Sequence, residues 1–217
     1  MGSDSTDKAS AWTASHAINL HKLLVTPITA GLMWYYSCYT PAAWVYLSLH
    51  GTYSLLWLIK EACFPDKTFR EPEPFGQVAF IFVFLNITYY SIPWALCYHA
   101  KAVPVWFPAI AVAVFGTGMF LMTGSDCQKY YTLKAQPGKL ITTGFFKHIR
   151  SPNYLGELLI YTAFSMLTYT PWGYFGNLCF VLLGIIPNLT KKDKSMSRYP
   201  EFEAYQASTW AIMPPFY

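Results

Sequence analysis

Apolar residues gather into long runs separated by short polar breaks, and the runs have membrane dimensions. Four of them, about 23–39, 42–59, 75–97 and 103–122, reach the roughly 17 to 25 residues that a spanning helix needs. Two shorter runs follow, about 155–169 and 172–186, joined by Thr170-Pro171-Trp172-Gly173. At 1.5 Å per residue a helix of about fifteen residues covers only ~22 Å, so this last pair is expected to form a tight hairpin that barely crosses. The pattern predicts an all-α integral membrane protein, a bundle of about six transmembrane helices. Between the runs lie a Ser/Thr/Asp-rich head over 1–15, expected to be disordered, a Pro-rich loop over 60–74, and a longer polar stretch over 123–152. Residues 16–217 are expected to form a single polytopic domain.

Composition agrees. Of the 217 residues 54% are hydrophobic, 19% are aromatic and only 12% are charged, which excludes an ordinary soluble domain. Charge also orients the chain. With six crossings, fourteen of the fifteen Lys and Arg residues fall on the side of the two termini and of the 60–74 and 123–152 stretches, and Lys101 alone falls on the other. The positive-inside rule then makes both termini cytoplasmic. The five cysteines (38, 63, 97, 127 and 179) show no C-x-x-C spacing and no zinc-spaced His, so no metal is expected. No cleavable signal peptide is apparent in the polar first twenty residues. "MGSDST" matches the loose myristoylation pattern. The sequons at Asn86 and Asn188 fall inside a helix and on the cytoplasmic side, where they are not used. No nucleic-acid partner is expected, and the oligomeric state is not legible.

Candidate chemistry concentrates in "GFFKHIRSPNYLGELLIY", residues 144–161. Ser151 and Pro152 suit the N-cap and first turn of a helix. On that helix Asn153 and Glu157, four apart, share a face. An amide and a carboxylate at the head of a spanning helix are costly unless they meet a wet cavity or a partner helix. One reading is a cap plus an interhelical hydrogen bond; the other is a polar ligand pocket. Cations crowd the same region: Lys129, Lys134, Lys139, Lys147 and Arg150 before the helix, then Lys191, Lys192 and Lys194 after the last run. Topogenic charge accounts for part of that cluster, but Asp126 and Asp193 among the cations do not serve topology. Cations for phosphates, with Asp, Asn and Glu for ribose and amide groups, suit a nucleotide cofactor. No Gly-rich nucleotide-binding motif of a soluble fold is present. Beyond the last run the tail turns aromatic and apolar (Trp210, Ile212, Met213, Phe216), so it is expected to fold back onto the protein or lie in the interface.

The stretches "SDCQKYYTLKAQPGKLITTGFFKHIRSPNYLGELLIY" and "KKDKSMSRYPEFEAYQASTWAIMPPFY" resemble the C-terminal region of the steroid 5-alpha-reductase family, over residues 120–217, with a looser likeness around "LHGTYSLLWLIKEACFPDK". The resemblance implies a polytopic reductase of the endoplasmic reticulum that binds NADPH in a cytoplasm-facing cavity, built mainly from residues 123–217. It would reduce an activated carbon–carbon double bond of a lipid or steroid-like substrate. Carried over position by position, Asp126, Arg150, Asn153, Tyr154 and Glu157 would line the cofactor cavity, and Asp193 and Tyr199 would close it from the tail. Lys134, Arg150 and Lys192, with Lys129 and Lys191, would favour NADPH over NADH. The likeness breaks in two places. The first run (23–39) has no acid where the steroid reductases carry a Glu, and Gly51 and Ser54 stand where they carry a Tyr and a basic residue. Tyr53 and His50 on the second helix are the remaining candidates to assist the chemistry.

Two other readings stay open. Leu140-Ile141-Thr142-Thr143-Gly144 through Arg150-Ser151-Pro152-Asn153-Tyr154-Leu155-Gly156 also fits the isoprenylcysteine methyltransferases, which use S-adenosylmethionine. The basic Lys191-Lys192-Asp193-Lys194 segment suits a phosphorylated cofactor better than that cation. A non-catalytic lipid-binding protein is the third reading.

Overall fold

Capping residues and prolines set where the helices begin. In the computed structural model, which describes residues 12–213, α1 (Ala14–Tyr35) starts behind Thr13, whose hydroxyl lies 2.9 Å from His16 Nδ1 in a reciprocal cap. That cap starts the first helix nine residues before the apolar run, so Ala14 and Ser15 are helical and not part of an unstructured head. α2 (Pro41–Cys63) opens with Pro41 after Thr40, whose Oγ1 accepts from Ala43 N at 3.2 Å. α3 (Phe75–His99) ends where Ala100 turns left-handed at φ 43°. α4 (Phe107–Ala135) runs well past the apolar segment and absorbs residues 123–135, expected outside the membrane. At ~44 Å it outreaches a hydrocarbon core and carries Asp126, Lys129 and Lys134 on a rigid rod.

The expected hairpin is present, but its second leg is long enough to cross a bilayer and does not fall short as the apolar run implied. α5 (Pro152–Leu167) turns through 168–173 into α6 (Tyr174–Phe180), which continues through a π segment (Val181–Ile185) into α7 (Ile186–Met196). The last leg is thus ten residues longer than the apolar run, and Lys191, Lys192, Asp193 and Lys194 sit on helix rather than tail. A short α8 (Phe202–Ala207) follows. Among the described residues there is no strand, only two isolated bridges, Thr13 with Pro72 and Ile149 with Trp210. Three legs, Phe75–His99, Phe107–Ala135 and Pro171–Met196, are long and apolar enough to cross a bilayer. The protein is an all-α membrane protein.

The six legs alternate in direction and produce two unlike ends. At one end short turns meet: Tyr36 packs on Tyr98 (6.0 Å) and Phe107 on Tyr169 (5.3 Å). Trp34, Tyr35, Tyr39, Trp44, Trp94, Tyr98, Trp106 and Trp172 are exposed around that end, the aromatic girdle expected at a membrane–water boundary. At the other end the longer connections 64–74 and 136–151 are tied down by polar contacts. Lys129 pairs with Asp66 at 2.9 Å, Arg150 with Asp193 at 3.2 Å, and Lys60 on α2 with Asp126 on α4 at 2.5 Å. The core between the ends is aromatic, built from Tyr46, Tyr53, Tyr89, Tyr161 and Phe164 with aliphatic neighbours.

α4 and α5 pack closely through glycines. A Cβ on Gly156 would lie 2.5 Å from Met122 N and 2.6 Å from Gly118 O, and one on Gly118 would lie 2.7 Å from Gly156 O. Without side chains at these two positions the backbones of α4 and α5 can approach closely. The tail folds back as expected: Arg150 N donates to Trp210 O (2.8 Å), Ser151 N to Ala211 O (3.0 Å) and Trp210 N to His148 O (3.1 Å). Phe216 and the myristoylation match lie outside the described residues.

Candidate functional site

The polar end opens into a cavity of about 640 Å³ between α2, α3, α4, α5 and the last leg. Its depth follows the helices. Near the opening, Lys60, Lys129, Lys139, Lys191, Lys192 and Arg198 bring cations to the wall, with Asp126 and Tyr199. One helical turn deeper come Asn153, Tyr154 and Glu157 on α5. The inner end is aromatic, with Tyr53 and Trp57 from α2, Tyr89 from α3 and Tyr161 from α5. One flank is apolar: Ile81, Phe84 and Leu85 from α3 face Phe180, Gly184 and Ile185 from the last leg. A cationic mouth, a few convergent polar groups and a greasy interior are the features of a site for an amphiphilic ligand.

Most of the residues selected from sequence converge here. Tyr53, Asp126, Arg150, Asn153, Tyr154, Glu157, Lys192 and Tyr199 all contribute to the wall. Asn153 and Glu157 project inward, as their spacing requires. Lys192 Nζ donates to Asn153 Oδ1 at 3.3 Å and lies 5.4 Å over the Tyr154 ring. Asp126 is held by Lys60, which also sits 4.4 Å over Trp57. Both members of that pair face the cavity, so its mouth carries a preformed, oriented charge pair.

Arg150 borders the cavity but is engaged by protein, and three of the expected residues, Asp193, Lys134 and His50, do not line it. Arg150 is fully buried with its donors committed to protein: Nε and Nη2 to Asp193, Nη1 to Thr209 O at 2.6 Å and to Gln206 O at 3.2 Å. Its guanidinium clamps α7 and the tail to the head of α5 and has no free fork for a phosphate. Asp193 is the other half of that clamp, and Gln206 Nε2 contacts it at 3.5 Å. Lys134 lines a smaller adjoining cavity of about 380 Å³ with Asp66, Lys67 and Tyr130, outside the main one. His50 is buried behind the inner wall, its Nδ1 2.9 Å from Tyr46 OH and its ring stacked on Phe164 at 4.5 Å. It sits beside Tyr53 in the core and does not border the cavity.

Sequence reasoning missed Lys22. With α1 beginning at Ala14, Lys22 falls on the buried stripe Ile18, Lys22, Val25, Thr29 and Met33 and is 2% exposed. Its ammonium lies 3.4 Å from the Tyr53 ring centre, 4.6 Å from Tyr89 and 5.0 Å from Trp57, and it has no hydrogen-bond partner. The signal was available: a Lys spaced four and three residues from apolar positions on both sides. Starting the helix at the apolar run hid it among flanking charges.

The loop over the mouth is electrostatically set. Burial alone would raise the Asp66 carboxyl, but Lys129 and the Thr68 amide override this and hold it below the ordinary carboxylate range. On the tail, burial pushes the Tyr205 phenol up to about 12, and its hydroxyl donates to Phe146 O at 2.6 Å, closing the segment that packs on Leu140 and Phe202.

Comparison with known proteins bears on the same residues. A family described as "Protein of unknown function (DUF1295)" matches residues 69–209. A curated relative, Steroid 5-alpha-reductase DET2 of Solanum lycopersicum, is 30% identical over 128 residues, 57% of this chain and 49% of the relative. The chain therefore spans about half the length of that relative. The family match takes in α3 to α8, and with them the mouth residues, Asn153, Tyr154 and Glu157; it leaves Lys22, His50 and Tyr53 outside. With more than half of its length inside that match, the chain belongs to the DUF1295 family, which is like the C-terminal region of the steroid 5-alpha-reductases.

Proposed function

We propose that this protein is a membrane oxidoreductase that transfers a hydride from NADPH to an activated C=C bond of a lipid or steroid-like substrate. The observation that carries this reading is the single cavity graded from cations at its mouth to tyrosines at its inner end, with Asn153 and Glu157 between them. The partial likeness to a steroid reductase supports it. In this arrangement both termini and the cavity mouth face the cytoplasm, the membrane is that of the endoplasmic reticulum, and the lipid reaches the apolar flank between α3 and the last leg.

The donor set suits a dinucleotide phosphate. Lys129, Lys191 and Arg198 supply charge for phosphates at the mouth, where each well-placed charge-assisted contact is worth about 1.5–3 kcal/mol. Asn153 can donate to and accept from a carboxamide, and Glu157 accepts from an amide or a ribose hydroxyl. Lys192, now on Asn153, is released to a phosphate when the amide takes a ligand. Arg150 acts indirectly, by fixing α7 so that Lys191 and Lys192 face inward. When bound, NADPH supplies a hydride and leaves as the oxidised nucleotide. The chain's own residues orient the acceptor against Tyr53 and Tyr161, exclude water with the aromatic inner wall, and stabilise charge in a dry site, where such help is largest.

The test is to purify the protein in mild detergent, identify any retained nucleotide by mass spectrometry, and compare thermal shifts with NADPH, NADH and S-adenosylmethionine. Stabilisation by NADPH above NADH is expected, with Asn153→Ala and Glu157→Gln folded but lowered in NADPH-dependent reduction of a lipid enone. A response to S-adenosylmethionine and none to NADPH replaces this reading with a lipid or isoprenylcysteine methyltransferase. No response to either leaves a non-catalytic lipid-binding protein.

A further inference from the structure

At the end of the bundle away from the cavity mouth, two helix C-termini bring two cysteines together. α1 closes with Ser37 in the left-handed region at φ 52°. There the Ser37 amide donates to Trp34 O at 3.2 Å and the Cys38 amide to Met33 O at 2.8 Å, the paired bonds of a Schellman closure, which fix where Cys38 stands. α3 closes three residues after Cys97, where Ala100 takes φ 43° and its amide donates to Leu96 O at 3.0 Å. The same carbonyl accepts from Cys38 Sγ at 3.9 Å, although 58 positions separate the two residues. Leu96 O belongs to the peptide that joins Leu96 to Cys97. The Cys38 sulfur is therefore set against the backbone of Cys97, and the two thiols are close enough to act on each other. Both residues are 2% exposed and belong to the same core cluster.

Burial of one cysteine needs no explanation, because a thiol packs as a small hydrophobe. Ala42, Ala43 and Ala95, all buried nearby in sequence, show that small apolar side chains suit this region without sulfur. The meeting of two thiols from distant segments is what packing leaves unexplained. Their compartment adds to it. With six crossings, Lys101 is the only Lys or Arg at this end, so the positive-inside rule makes it the non-cytoplasmic one, where disulfides form and persist. Cys63 and Cys127 stand at the opposite, cation-rich end. We propose that Cys38 and Cys97 form a disulfide that staples the α1–α2 turn to the end of α3. Each thiol gives up its proton, the S–S bond forms, and two electrons pass to an oxidant of the disulfide class, whose own S–S bond is reduced to two thiols. The structure, with both residues as thiols, describes the reduced form. The bond closes a loop containing α2, the 64–74 connection and α3, which restricts the unfolded chain and leaves the mouth as the end that is free to move. The inference goes beyond the reductase reading and does not use it; it rests on the orientation of the chain.

The test uses the full-length protein in the membranes that contain it. Thiols this buried react slowly in the folded state, so the membranes are dissolved directly in denaturant with N-ethylmaleimide and no reductant. Thiols released by a later reduction take a maleimide of different mass, and both tags are located by mass spectrometry. The second tag is expected on Cys38 and Cys97, the first on Cys63, Cys127 and Cys179, and an unreduced digest should contain a peptide pair linked through 38 and 97. Cys97→Ala should move Cys38 to the first tag. Reduction should lower the melting temperature of purified wild type by about 4 °C or more and leave that of the Cys38→Ala/Cys97→Ala variant unchanged. Should the variants fail to fold, the linked peptide from wild type decides alone. The first tag on both Cys38 and Cys97 of wild type overturns the proposal, as does a Cys38 that stays protected in Cys97→Ala. An impermeant amine reagent outside sealed vesicles, cytoplasmic face outward, tests the orientation separately through Lys101, which should stay unmodified. A linked peptide in a protein whose Lys101 is modified from outside leaves the disulfide standing and removes the orientation; free thiols with Lys101 protected remove the disulfide and keep the orientation.

Discussion

Replacing Arg150 with Ala separates two roles that sequence alone assigns to the same side chain. As a phosphate ligand, Arg150 would cost cofactor affinity and little stability. The structure gives it protein partners on every side: the Asp193 carboxylate at 3.2 Å, Thr209 O at 2.6 Å and Gln206 O at 3.2 Å. Truncation removes a fully buried side chain and leaves a carboxylate and two carbonyls without their donor. Breaking a buried pair of this kind costs about 3–5 kcal/mol. Asp193 keeps 26% of its side-chain exposure and can rehydrate, which puts the loss at the lower end, about 3 kcal/mol. For a chain of this length that is a fall of roughly 6–12 °C in melting temperature. Arg150→Lys keeps the charge but not the fork, so it should recover only part of this. The assays are thermal unfolding in detergent, limited proteolysis of the tail, and NADPH titration on the same samples. Early cleavage after residue 196 should accompany the loss of stability. An Arg150→Ala protein that melts with wild type, resists proteolysis and binds NADPH tenfold more weakly would refute the clamp and restore Arg150 as a ligand.

Three further outcomes are expected. Gly156→Ala drives a methyl into the Met122 amide and the Gly118 carbonyl, backbone atoms that cannot swing away, so it should cost about 3 kcal/mol or more in unfolding assays, whereas Gly31→Ala, with open space around it, should gain about 0.5–1 kcal/mol. The Asp66–Lys129 pair lowers the folded carboxyl below its unfolded value, so its contribution is full above about pH 4 and disappears as pH falls through the depressed folded value; the melting-temperature difference between wild type and Lys129→Gln should shrink over that acidic window, and a constant difference would exclude the pair as its source. Cysteines engineered at positions 5 and 102 should label from opposite faces of the membrane; labelling from one face would exclude the six-crossing topology.

The sequence by itself determined the membrane character, the hairpin of the last two legs, the inward face of α5 and the return of the tail. Each of these is local or one-dimensional information: runs of a given length, a four-residue spacing, an apolar tail that needs cover. Asn153 and Glu157 reached the cavity because helical geometry alone places i and i+4 on one side. What tertiary structure decided is where long flexible cations end up. Arg150, Lys134 and Lys192 read alike in sequence, yet one is locked to Asp193 and Thr209 O, one lines a neighbouring cavity, and one rests on Asn153. Lys22 shows the same limit more sharply. A shift of nine residues in the start of α1, set by the Thr13–His16 cap, turns it from a flanking charge into a buried one. Its three aromatic partners come from α2 and α3, so no window of sequence around position 22 contains them. Spacing fixes which face a residue takes; only the packing of distant helices fixes what that face meets.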